Sequence, residues 1–378
     1  MKSIKKVFIV LALFSAVTQL SATTIFARQY NTNCNTCHVA LPPMLNSTGK
    51  EFLRNGMRFS QSDTTTLQKV LSDEESVVPV GIFLGVMNKN GEVTRSTPKG
   101  EMKKENEVNN PIMTLLSSGS LSKNFSMFAG ARFAYIYSTP TANERELKLI
   151  REKIYIQYNQ TKTHLMRAGV LLPYPDSSEN SGLSDMPDLY ISPIDRGNLK
   201  PIYGAEYSYM NNSGFTFSVL GGVVGKLNNE NSLMGSIEYE YDLLSISAIV
   251  NKIWATQSDS EIATYSPSEI ILGERLSVMV PLELDLEYGY VNVTGVYENN
   301  DRVANEDYYG LETSINAPVF ENGQVRLIYT VDNEQEKGYA LKYSHLFFEH
   351  IFLNANYVKV KATASEFETV GVGLSLIY

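Results

Sequence analysis

Leu282-Glu283-Leu284-Asp285-Leu286-Glu287-Tyr288-Gly289-Tyr290 alternates without a break. Leu282, Leu284, Leu286, Tyr288 and Tyr290 fall on one face, and Glu283, Asp285, Glu287 and Gly289 on the other. A period of two is that of a β-strand with one oily and one wet side, because successive side chains point to opposite faces of the sheet. The same period recurs to either side. Leu233, Gly235, Ile237, Tyr239 and Tyr241 alternate with Ser236, Glu238 and Glu240, and Leu244, Ile246, Ala248 and Val250 with Ser245, Ser247 and Asn251. After an Asn322-Gly323 hairpin signal, Val325, Leu327, Tyr329 and Val331 alternate with Gln324, Arg326 and Thr330.

Segments of this kind predict about sixteen strands, near 77–87, 111–121, 125–138, 147–159, 163–171, 201–211, 214–225, 231–241, 243–255, 266–278, 281–292, 306–317, 322–331, 337–347, 350–361 and 366–378. A soluble β-sandwich alternates equally well, but sixteen strands exceed its usual number. An even count of strands of about ten residues, with 23 tyrosines and no long apolar helix, fits an antiparallel transmembrane β-barrel of the outer membrane. Closure satisfies the backbone groups that lipid cannot hydrogen-bond. Val370, Val372, Leu374, Leu376 and Tyr378 share one face of the last segment, like the aromatic-ended signal read by the barrel-insertion machinery. The expectation is all-β: a barrel over 77–378, embedded in outer-membrane lipid.

The other end reads differently. Met1-Lys2-Ser3-Ile4-Lys5-Lys6 and the apolar run Val7 to Val17 form the basic and apolar parts of a signal peptide over 1–27, with cleavage after Ala22 or Ala27. The run falls short of the roughly 20 residues that a spanning helix needs. Losing Lys2, Lys5 and Lys6 takes the formal charge from −9 to −12. That argues against nucleic acid as a partner, since phosphate binding needs clustered Lys and Arg.

Just beyond lies Cys34-Asn35-Thr36-Cys37-His38, which holds both cysteines of the chain. C-x-x-C-H is the attachment pattern of a c-type haem: each thiol forms a thioether to a vinyl group, and the histidine ligates the iron. A disulfide or a redox C-x-x-C leaves His38 unexplained, and a zinc site wants a second ligand pair that the neighbouring sequence lacks. Haem joins this motif outside the cytoplasm, as export would require. The expected cofactor is one covalent haem c on Cys34, Cys37 and His38. Residues 28–60 form its short, mostly helical module, and 61–76 form a linker. Asn46 or Ser47 can cap a helix there, and Gly56 can end it.

Phe26-Ala27-Arg28-Gln29-Tyr30, the C-x-x-C-H motif, a proline, Leu45-Asn46, Gly49, Phe52 and Asn55-Gly56-Met57-Arg58-Phe59 resemble a group of bacterial exported proteins. These join one C-x-x-C-H module to a porin-like barrel. The resemblance is close over 26–59 and architectural beyond. It implies a monohaem cytochrome–porin fusion of the outer membrane that transfers electrons with a periplasmic redox partner. It carries over Cys34, Cys37 and His38. Relatives often show an aromatic where this chain has Met57.

A distal iron ligand would come from Met57, Met44, His164, His345 or His350. Met57 has the best local reach, and core packing competes for its thioether. With no distal side chain, the iron would be open to peroxide, nitric oxide or carbon monoxide. The wet faces collect Glu206, Glu238, Glu240, Glu283, Asp285, Glu287 and Glu312 against Arg132, Arg275, Arg326 and Lys342, so a mostly acidic lumen is expected, with charge pairing across it as the alternative. Asp176 to Gly182, within the irregular stretch 173–201, echoes a calcium loop but has its glycine one place late. No hydrolase or nucleotide motif occurs, and no catalytic residue is assigned. The leading expectation is one-electron transfer by a haem on the periplasmic side or in the lumen. The alternative is a diffusion porin whose haem senses redox state or gates the pore.

Overall fold

The computed structural model describes residues 25–33, 36–37, 46–60, 62–72, 80–95, 110–137, 145–161, 163–171, 201–211, 213–224, 230–241, 244–255, 274–286, 289–300, 306–320, 323–332, 337–347, 351–361 and 365–377. Three short helices come first: α1 (Ile25–Tyr30), α2 (Ser47–Arg54) and α3 (Thr66–Leu71). Sixteen strands follow among the described residues. They are β1 (Val80–Arg95), β2 (Asn110–Ser120), β3 (Phe125–Tyr137), β4 (Arg145–Asn159), β5 (His164–Leu171), β6 (Ile202–Met210), β7 (Phe215–Val224), β8 (Glu230–Tyr241), β9 (Leu244–Ala255), β10 (Glu274–Leu286), β11 (Gly289–Asn300), β12 (Glu306–Pro318), β13 (Gly323–Asp332), β14 (Lys337–Phe347), β15 (Ile351–Lys361) and β16 (Ser365–Ile377). Each pairs antiparallel with its sequence neighbours, and β1 pairs with β16 to close the ring.

The alternation sorts as the sequence suggested. Leu233, Ile237, Tyr239, Leu244, Ile246, Val250, Val370, Val372 and Leu374 are exposed on the outside. The intervening rows carry buried Ser232, Ser236 and Asn251. Tyr378 and His350 lie outside the described residues, as do Glu287 and Tyr288.

Three strands are corrected. The first, expected over 77–87, runs over Val80–Arg95. The run Leu282–Tyr290 is not one strand but the foot of a hairpin, because Leu286 pairs with Gly289. The expected strands 266–278 and 281–292 therefore become 274–286 and 289–300. Tyr290 sits opposite Asp285 instead of continuing the row of Leu284. The chain runs straight through Pro281, which has no N–H to donate. The ladder to β9 shows the cost: pairing stops at Met279–Ile249 and resumes at Leu282–Ile246. A face pattern cannot reveal such a turn when the turn residues themselves continue it.

Connections at one end of the barrel are short (121–124, 160–163, 211–214, 242–243, 287–288, 319–322 and 348–350). The longest, 96–109, 172–201 and 256–273, are at the other end. β1 starts and β16 stops at the short-turn end, where the three helices also pack. The principal core lies on the inner side of β2 to β9, where Phe52 and Met57 join Phe128, Tyr155, Leu171, Ile202, Leu220, Val224, Met234 and Ile249.

Candidate functional site

The site is built from the N-terminal segment outward. Asn46 caps α2, accepting from Gly49 N through Oδ1 at 2.9 Å. The same residue holds the C-x-x-C-H backbone. Its N–H donates to Cys37 O at 3.0 Å, and its Nδ2 donates to Thr36 O at 3.2 Å. The motif is thereby tied to the first turn of α2. Cys37 is a free, half-buried thiol, and burial pushes its pKa up. Cys34, His38 and Met44 lie outside the described residues.

Four rings wall this module. Phe52 meets Phe26 at 4.9 Å and Tyr30 at 5.5 Å edge-on and Phe59 at 4.9 Å at a tilt, and Tyr30 meets Phe59 edge-on at 5.0 Å. Such edge-to-face pairs add to the apolar burial of the rings. Burial raises the pKa of the Tyr30 phenol; nearby Asp63 adds to the shift and Arg58 opposes it. The phenol donates to Met57 O at 3.0 Å.

α2 ends in a Schellman turn: Met57 N donates to Phe52 O at 2.9 Å, and Gly56 N to Leu53 O at 3.1 Å. Gly56 needs its φ of +73°, and an added Cβ would press on Asn159 Oδ1 at 3.2 Å. Met57 follows at φ +63°, an uncommon place for a side chain, and is fully buried. Its thioether belongs to the core shared with the barrel wall.

The wall answers the helix. Gln157 Nε2 donates to Leu53 O at 2.8 Å, and Asn159 Nδ2 donates to Arg54 O. Both carbonyls are at the end of α2: Leu53 O also accepts from Gly56 N, and Arg54 O takes its donor from the wall. Arg58 donates to Lys123 O in the β2–β3 turn. Thr66 N donates to Ser120 Oγ at 2.9 Å, and Ser120 N returns a bond to Thr66 Oγ1 at 3.0 Å. Across the mouth, Arg54 reaches Glu240 on β8 at 3.7 Å. Sequence reasoning missed Gln157, Asn159, Ser120 and Thr66. For Ser120, Gln157 and Asn159 the signal available was inward parity near strand ends, which many lumenal polar residues share; Thr66 opens α3.

Deeper in the lumen, Arg167 donates from Nε to Gln157 Oε1 at 3.0 Å and from Nη1 to Glu206 Oε2 at 3.3 Å. Glu206 also accepts from Ser208 Oγ at 3.2 Å. Arg167 lies 5.3 Å from the centre of the Tyr155 ring, which stacks on Phe128 at 5.5 Å. Of the other expected lumenal charges, Glu238 accepts from Ser245 Oγ at 3.3 Å, Arg132 donates to Thr114 Oγ1 at 3.1 Å, and Arg326 donates to Ser314 Oγ at 3.5 Å. Lys342 occupies the ladder position opposite Arg326. Glu206, Glu238 and Glu240 lie on β6 and β8, Glu206 paired with Arg167 of β5, and Arg326 and Lys342 lie on β13 and β14. Glu283, Asp285, Glu312 and Arg275 hold ladder positions on β10 and β12. The acidic loop echo at 176–182 lies outside the described residues.

His164 and His345 are on the outward rows. His164 Nδ1 is 2.8 Å from Tyr207 Oη, and His345 Nδ1 is 3.1 Å from Tyr343 Oη. The His345 ring lies 4.1 Å from Phe347. Both belong to aromatic collars at the short-turn end, with the barrel wall between them and the module.

The fold resembles that of bacterial porins. The structure of Salmonella typhi OmpF in complex with daunomycin superposes with a TM-score of 0.52 and 11% identity over 79% of this chain and 97% of that one. The anion-selective porin of Comamonas acidovorans gives 0.49 and 14%, over 79% and 100%. A loop L8 deletion mutant of the Vibrio cholerae outer-membrane protein OmpT gives 0.47 and 10%, over 79% and 99%. No protein-family profile and no curated protein sequence matches the chain. What is established is the class: an all-β chain with a porin-like barrel.

Proposed function

We propose that the chain is a diffusion porin of the outer membrane, with a haem-bearing module seated in its mouth that senses redox state or gates the pore. The closed antiparallel ladder, oily outside and polar within, carries the pore reading. Such a ladder leaves no strand edge to lipid. In an even-stranded barrel of this kind both chain ends face the periplasm, so the module would be on that side.

A second reading, one-electron transfer to a periplasmic redox partner, is favoured by the motif itself. Cys34 and Cys37 would hold a covalent haem c by thioethers, and His38 would be its proximal ligand. Bound there, haem supplies a one-electron couple. The chain's own contribution is local: Asn46 fixes the motif backbone, and Phe26, Tyr30, Phe52 and Phe59 offer an apolar wall. Met57 as distal ligand would have to leave its place in the core. Signal cleavage after Ala22 suits the module better than cleavage after Ala27, which would cut α1 and remove Phe26 from Phe52.

Purified outer membranes, run heated and unheated on a haem-stained gel, test both readings, together with conductance in planar bilayers. A haem-positive, heat-modifiable band whose conductance changes on reduction supports the gated pore. Conductance blind to reduction, with rapid electron exchange to a periplasmic cytochrome, favours the carrier. A heat-modifiable band without haem removes the cofactor from both. A protein found only in the soluble periplasm removes the membrane barrel.

A further inference from the structure

The helices before the barrel meet the inner wall through a few specific polar contacts, while α3 exposes Leu67, Val70 and Leu71. They are tied at three separate places: β4 through Gln157 and Asn159, the end of β2 and the β2–β3 turn through Ser120 and Lys123, and β8 through Glu240. The β4 contacts are of a special kind. Leu53 O already accepts from Gly56 N within the Schellman turn, so Gln157 adds a second donor there, while Asn159 supplies a donor to Arg54 O at the last residue of an eight-residue helix. Here the donors belong to a strand more than a hundred residues later.

We infer that residues 47–72 are a fixed stopper of the pore, latched to the wall by Gln157 and Asn159 at the last two carbonyls of α2. A domain tethered below the barrel would not depend on these two side chains. The latch has its own support. Arg167 holds Gln157 through Oε1, leaving Nε2 directed at Leu53 O, and Glu206 in turn holds Arg167. Gln157 Nε2 also reaches Asn159 Oδ1 at 3.0 Å, so the two amides are oriented together. Beneath them Met57 and Phe52 enter the core with Phe128 and Tyr155, which resists sideways movement. Among the described residues the polar contacts run from β2 to β8, so the stopper covers that sector of the mouth. This inference rests on the porin reading for the pore, but not for the latch.

The test compares the full-length protein with Gln157→Met/Asn159→Leu, which keeps volume while removing both donors, and with Arg58→Met as an independent variant at the β2–β3 contact. Heat-modifiable mobility checks that each barrel has folded. Trypsin cleavage at Arg54 and Lys69, sites every variant retains, reads the latch, and single-channel conductance reads the stopper. The double variant is expected to be cut about tenfold faster or more, since local opening governs proteolysis, and to show larger or fluctuating openings where the native protein is steady. Equal cleavage and equal conductance in native and double variant would overturn the latch and leave the porin reading standing. Faster cleavage with no channel in any protein would overturn the stopper together with the pore. Should the double variant not fold, Arg58→Met decides: cleavage at the native rate overturns the fixed seat.

Discussion

The barrel and its N-terminal module are held together in opposite ways. In the barrel, backbone ladders between sequence neighbours do the binding, and side chains need only be oily outside and polar inside. In the module, backbone bonding nearly stops after each short helix. Its order comes from particular side chains, namely Gln157 and Asn159 on α2, Ser120 on Thr66, and Met57 in the shared core. One region therefore tolerates substitution and folds on a repeated rule, and the other depends on a few fixed contacts supplied by the first.

The contrast can be broken most sharply at Met57 and Phe52. Either residue changed to Ala should cost about 2–5 kcal/mol of the module's stability by loss of transfer energy and creation of a cavity. The heat-modifiable shift of the barrel should remain while trypsin resistance of 47–72 is lost. Loss of the barrel shift itself would mean that the two regions fold as one unit.

On the wall, Glu206→Gln leaves Arg167 without its anion. Removing one partner of a buried pair costs about 3–5 kcal/mol, and less here because both side chains keep some exposure. The urea midpoint of the heat-modifiable band should fall. Release of Gln157 should also make 47–72 more sensitive to protease, which a purely structural role in the wall would not do.

Val280, exposed at mid-strand on the outside of β10, tests the membrane assignment. Val280→Arg should cost about 2–4 kcal/mol when folding is measured into lipid bilayers. A negligible change would put that face in water.

The smallest effect is at Tyr30. Tyr30→Phe removes one hydrogen bond, worth about 0.5–1.5 kcal/mol, and leaves the aromatic packing intact. The raised pKa gives this contribution a pH window. The fold prefers the neutral phenol, so the contribution is complete below the unfolded pKa of about 10 and declines as pH rises above it. The native protein should lose module protection in that range, measured by hydrogen exchange, more steeply than Tyr30→Phe.

Legibility in the sequence follows the same division. The rows of Leu233, Ile237 and Tyr239 and of Val370, Val372 and Leu374 were readable because period two reports a local geometry. The hairpin at Leu286–Gly289 was not, since Glu287 and Tyr288 continue the alternation through the turn and Pro281 looks like a boundary. In the module, the caps at Asn46 and Gly56 were legible as local signals. The partners of α2 were not: a glutamine and an asparagine on an inward row look like any other lumenal polar pair.

Period two by itself determined an all-β chain with one oily and one polar face, and the five residues from Cys34 marked where chemistry would be placed. Only the tertiary structure decided which residues pair across each turn, which charges share a sector of the lumen, and that the module sits in the mouth of the barrel. The reason is physical. Strand alternation and helix caps are set by neighbours a few residues apart. The bonds from Gln157 and Asn159 to Leu53 and Arg54 join positions 104 and 105 residues apart, and exist only once the barrel has brought them together.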